Sequence, residues 1–187
     1  VTSDNKYVVS GSYTGNIRIN RLGNGELVHV IKGHTSLVYS VCVTPDNKYV
    51  VSGSGDKTVR ITRLDNGELV CMVKRHTDHI TVVCITPDNK YVVSGSYDET
   101  IGIMRLNDGE IIQKIQCTAC INTLEVSPNR HYIVVGCCGG RVNVFATPTY
   151  ELQRRWGQVL LRNRVFKLFQ QYPGLIRYLG TKLMLCC

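Results

Sequence analysis

Apolar positions along the chain come in short runs, Tyr49-Val50-Val51, Val82-Val83 and Ile111-Ile112 among them, separated by glycine, asparagine, aspartate and proline. The runs are apolar on consecutive positions and not only on alternate ones, the pattern of strands covered on both faces. None carries the period of about 3.6 residues that marks an amphipathic helix, and the recurring Gly/Asn turns break helices. Residues 37–73 predict four strands, Leu37–Val43, Tyr49–Ser54, Thr58–Thr62 and Leu69–Val73, with turns at Pro45-Asp46-Asn47, Gly55-Asp56-Lys57 and Asn66-Gly67. Asn24-Gly25, Asn66-Gly67 and Asp108-Gly109 predict type I′ hairpin turns, with positive φ at both central residues.

The pattern repeats. VTSDNKYVVSGS from Val1 returns as VTPDNKYVVSGS from Val43, as ITPDNKYVVSGS from Ile85 and, worn, as VSPNRHYIVVGC from Val126, starts 42, 42 and 41 residues apart. A fixed period near forty marks a chain built by stacking one supersecondary unit. A four-stranded meander buried on both faces is a propeller blade, so the expected fold is all-β, a propeller of antiparallel blades with about four repeats. Four units are few for a closed ring, and an open arc would expose the faces of its end blades. The chain alone is therefore expected to self-associate or to need further repeats. Repeats cover residues 1–152, and residues 153–187 form a tail without the repeat.

The unit running from Gly33-His34 to Ser52-Gly53-Ser54-Gly55-Asp56-Lys57-Thr58-Val59-Arg60-Ile61 resembles the WD-repeat (WD40) β-propeller family. The resemblance implies a non-catalytic scaffold for protein–protein interaction, with other proteins or peptides as partners and no cofactor. It departs where the family places Trp-Asp. Here stand Asn20-Arg21, Thr62-Arg63, Met104-Arg105 and Phe145-Ala146. The family's hydrogen-bonded blade network implies His34, Ser52 and Asp56 in the second copy and His76, Ser94 and Asp98 in the third, without the Trp. The fourth copy has Val135 and Gly139 at the Ser and Asp positions.

Composition narrows the picture modestly. The 187 residues are 43% hydrophobic, no stretch approaches eighteen uninterrupted apolar residues, and no basic-then-apolar leader opens the chain. The chain opens with Val1 in mid-repeat, which points to a fragment of a longer protein. The net charge of +8 is uneven: residues 1–152 hold 15 Lys/Arg against 14 Asp/Glu, whereas residues 153–187 hold seven and none. A basic helix from Trp156 to about Tyr172, halted by Pro173-Gly174, gives an alternative role for the tail: binding an anionic membrane or nucleic acid. Nine cysteines, odd in number and off any common register, argue against a disulfide framework and for an intracellular, cytoplasmic setting, with the nucleus open.

Three constellations could carry chemistry. His34 and His76 with Asp56 and Asp98 imitate part of a hydrolase triad, but one set per blade at identical registers reads as scaffold. Cys117-x-x-Cys120 and Cys137-Cys138 are metal-like, yet adjacent cysteines seldom both reach one ion, and the expectation is apolar packing and no metal. Arg21, Arg63 and Arg105, with Lys6, Lys48 and Lys90, form arcs of positive charge that neighbouring acids cancel. Residues that vary between repeats are the better candidates for contact with a partner, namely Tyr13, Ser36, Asp78, His79 and Tyr97 on the rim of the His loops.

Overall fold

A computed structural model describes residues 1–147. The expected basic helix and tail lie outside the described residues. Among the described residues fourteen strands follow one another as four antiparallel sheets. The first holds β1 (Tyr7–Gly11), β2 (Ile17–Arg21) and β3 (Leu27–Ile31). The second holds β4 (Val38–Val43), β5 (Tyr49–Ser54), β6 (Val59–Arg63) and β7 (Leu69–Val73). The third holds β8 (Ile80–Ile85), β9 (Tyr91–Ser96), β10 (Thr100–Arg105) and β11 (Ile111–Gln116). The fourth holds β12 (Ile121–Val126), β13 (Tyr132–Cys137) and β14 (Arg141–Ala146).

Each sheet is a meander in sequence order, and register aligns β1 with β5, β9 and β13. The first sheet therefore lacks the inner strand that β4, β8 and β12 supply to the others. Among the described residues the last has no outer strand corresponding to β3, β7 and β11. The described chain is an open arc of propeller blades.

Three apolar seams hold the arc together, one between each pair of neighbouring sheets. Ile17, Ile19, Val38 and Val50 pack in the first, Ile61, Val73, Ile80 and Val92 in the second, and Ile101, Ile115, Ile121 and Ile133 in the third. The central strands β5, β9 and β13 have five consecutive buried residues after a half-buried tyrosine, because seams cover both of their faces. The glycine in the repeated Ser-Gly-Ser admits the next blade. A Cβ on Gly53 would lie 2.6 Å from Ile80 Cγ2, and one on Gly95 would lie 2.5 Å from Ile121 Cγ2.

The turns depart from expectation in one respect. Gly25, Gly67 and Gly109 have positive φ, but Asn24, Asn66 and Asp108 do not. The loops are thus not type I′. Each is closed by two bonds, such as Gly67 N–H to Arg63 O at 3.1 Å and Arg63 N–H to Glu68 O at 2.8 Å, and the ladder slips by one residue beside them. The wider loop needs a left-handed residue only at its glycine.

Neighbouring blades are also tied on the rim of these loops, where Ser3 N–H donates to Asn47 Oδ1 at 2.9 Å. One repeat later the residue at the position of Ser3 is Pro45, which has no N–H. Asn89 Oδ1, the counterpart of Asn47 Oδ1, is accordingly buried with no hydrogen-bond partner.

Candidate functional site

The seams present three kinds of polar feature: two buried histidine networks, a cysteine cluster and an aromatic rim. In the second sheet His34 Nδ1 lies 2.8 Å from Asp56 Oδ2 and His34 Nε2 lies 2.8 Å from Ser52 Oγ. The third sheet repeats this with His76 Nδ1 3.1 Å from both Asp98 oxygens and Nε2 2.8 Å from Ser94 Oγ. A carboxylate only accepts, so Nδ1 carries the imidazole proton and Nε2 accepts from the serine hydroxyl. Thr58 and Thr100, not singled out from the sequence, each close the network. Thr58 gives its N–H and hydroxyl to Asp56 Oδ1 at 3.0 and 2.6 Å, and Thr100 gives the same pair to Asp98.

Burial pushes both histidines below their usual range, against the pull of Asp56 and Asp98. Burial alone would raise the two carboxyls. The donors around each outweigh it, Thr58, His34 and the Thr35 N–H for Asp56, and hold both at about 2. The arrangement is therefore a neutral imidazole on an ionised carboxylate.

The order Ser–His–Asp is that of a hydrolase triad, but the accessibility is not. Ser52 and Ser94 are both 0% exposed, so no acyl group reaches either hydroxyl. The Trp position of this network is taken by Thr62 and Met104, both buried.

The four cysteines of the cluster divide into two pairs. Cys120 and Cys138 are joined by a disulfide, which corrects the expectation of apolar packing for these two. The sequence hid this because the bond joins two loops of one blade at a separation of 18 residues, brought together when β12 pairs with β13. Cys117 and Cys137 are buried thiols in the third seam, and the Asn143 side-chain amide donates to Cys137 Sγ at 3.5 Å. Among the described residues no group of three or more His, Cys, Asp or Glu is arranged to hold a metal.

The cationic arcs are largely neutralised in place, with Lys6 on Asp4, Lys48 on Asp46, Arg21 on Glu26, Arg63 on Asp65 and Arg105 on Asp108 and Glu110.

The varying rim residues are only partly gathered. His79 stands at the middle of a cluster, its ring 6.0 Å from that of Tyr39 and 6.3 Å from that of Tyr97. Its Nδ1–H donates to Gly55 O at 2.8 Å. Gly55 occupies the position held by Tyr13 and Tyr97 in the neighbouring repeats. A Cβ there would meet Ser36 Oγ at 2.8 Å and Tyr39 Cε2 at 3.3 Å, so the missing side chain leaves the floor of the cluster to Ser36 and the rings. Asp78 borders it beside His79. Tyr13, 81% exposed, projects from the first sheet and makes no ring contact with the cluster among the described residues.

Tyr39 was not foreseen. It is the extra residue of a β-bulge, lying between the pairs Val38–Ser54 and Ser40–Gly53, and the bulge turns its ring outward from a strand that otherwise faces the seams. A bulge leaves no mark in the apolar pattern that would separate Tyr39 from an inner-strand core residue.

Comparison with known proteins agrees with this architecture. A model of the family described as WD domain, G-beta repeat, matches residues 25–62 and 67–103. No curated protein matches the chain.

Proposed function

We propose that this chain, two of whose repeats match the WD-repeat family, is a non-catalytic platform binding a partner protein through Tyr39, His79 and Tyr97, since repeats of that family generally mediate protein–protein interaction. The observation that carries the proposal is this cluster of exposed rings. Tyr39, on β4, is 46% exposed and Tyr97, in the turn just after β9, is 43% exposed, with the His79 ring between them. Tyrosine contributes large contact area at low entropic cost with a polar tip, which is why it is enriched where interfaces concentrate their energy. Ser36 and Asp78 supply the polar border such a patch needs. The inaccessible serines of both histidine networks support a structural role for them.

The test is comparative capture from an extract by the full chain, by Tyr39→Ser/Tyr97→Ser, and by Lys6→Glu/Lys48→Glu on the opposite rim. Partners retained by the charge variant and lost by the tyrosine variant support the proposal. Equal retention by all three overturns it.

A further inference from the structure

The seam beside each blade histidine is built twice, and the two copies differ by an exchange of one glycine and one arginine. Beside His34 the residue before the histidine is Gly33 and the one facing it from β6 is Arg60. Beside His76 these positions hold Arg75 and Gly102. In the first copy Arg60 lies across Gly33, filling the space a Cβ there would occupy, and its Nε is buried without a partner. Only about 20 Å³ remains open. In the second copy β10 has no side chain at Gly102, where a Cβ would lie 2.8 Å from Ser94 Oγ and 3.2 Å from His76 Nε2. There the cavity is about 400 Å³, within the range of small-molecule sites.

We propose that this open seam between the second and third sheets binds a small monocarboxylic acid. The apolar body lies against Val59, Val73, Met104 and Ile111, and the carboxylate between Arg75 and Lys114. Apart from Arg75 and His76, in the loop between β7 and β8, the walls are residues of strands β6, β7, β10 and β11 of the two sheets. The charge selects one negative charge and not two. Arg75 is exposed and makes no ion pair among the described residues, whereas Lys114 is partly engaged, its Nζ 3.9 Å from the buried Asp98. Met72 stands at the place of Lys114 in the closed copy, so both cations are particular to the open one.

The experiment uses the full chain with 4-phenylbutyrate as probe and 4-phenylbutan-1-ol as its uncharged counterpart, read by saturation-transfer NMR and titration calorimetry. The acid is expected to bind about tenfold more tightly than the alcohol. Arg75→Gly/Gly102→Arg transplants the closed seam into the third sheet and is expected to abolish transfer. In the closed copy an arginine side chain already coexists with the Ser52–His34 pair at this register. Lys114→Met, a surface change copied from Met72, is expected to weaken the acid about tenfold and leave the alcohol unchanged. It decides the question if the exchanged variant does not fold. Absence of binding by the acid, undiminished binding in either variant, or equal affinity for acid and alcohol overturns the proposal.

Discussion

At the scale of single residues, His34 and His76 hold most of the buried polar chemistry. His34→Ala leaves Ser52 and Asp56 without their common partner, and unpaired buried groups cost about 1–3 kcal/mol each. We expect urea unfolding to show a loss of about 2–4 kcal/mol, and a smaller loss for Ser52→Ala. The same groups set the response to acid. Both histidines have lowered pKa values in the fold, so the unfolded chain binds more protons once the pH drops below about 6.5. Stability is therefore present above that pH and is lost as the pH falls through the folded values. A second loss follows between about 3.8 and about 2 as Asp56 and Asp98 are protonated. The melting temperature should fall from pH 7 to pH 5, and His34→Ala/His76→Ala should flatten that slope. An unchanged slope would mean that other groups govern it. The network was implied by the family resemblance, matched position by position onto the repeats. Thr58 and Thr100 recur as well, but a threonine after a turn carries no distinguishing pattern until its hydroxyl is seen on the carboxylate.

At the scale of elements, the repeated Ser-Gly-Ser is where sequence and packing meet most tightly. Gly95→Ala would drive a methyl group to 2.5 Å from Ile121 and 3.0 Å from Leu124, so neighbouring blades must separate or side chains leave their rotamers. Overpacking of this kind costs about 1–3 kcal/mol, and chemical denaturation should show such a loss for Gly95→Ala and for Gly53→Ala. Gly25→Ala, with open space around its position but positive φ, should act through backbone strain alone. Strand positions were readable to within a residue: Leu37 lies just outside β4, and β6 runs from Val59 to Arg63 where Thr58–Thr62 was expected. Turn type was not, because Asn-Gly and Asp-Gly serve both the tight turn and the wider loop found here. The bulge that exposes Tyr39 and the disulfide from Cys120 to Cys138 depend on strand pairing, which no local pattern states.

At the scale of the whole molecule, the described arc begins and ends in sheets of three strands where the two between them have four. The first sheet offers β1 at its inner edge, and the last offers β14 at its outer edge. Phe145 packs against the third seam, whereas Val142 and Val144, on the alternate face of β14, are half-buried and belong to none of the three core clusters. Free strand edges and half-covered apolar faces recruit other chains. We expect concentration-dependent self-association of the isolated chain by light scattering, and a monodisperse monomer across the range would contradict it. The repeat period made the architecture plain from the sequence alone, whereas the ligand surfaces arise where repeats differ: Gly55 between Tyr13 and Tyr97, and Arg75 with Gly102 in place of Gly33 with Arg60. Contact through the aromatic rim is the claim on which the functional account rests. The most direct measurement places a photo-reactive benzoylphenylalanine at Tyr97 or, on the opposite rim, at Lys48, and compares the adducts formed with a partner in an extract. Adducts from position 97 and none from position 48 are predicted. Adducts from position 48 alone would contradict the account.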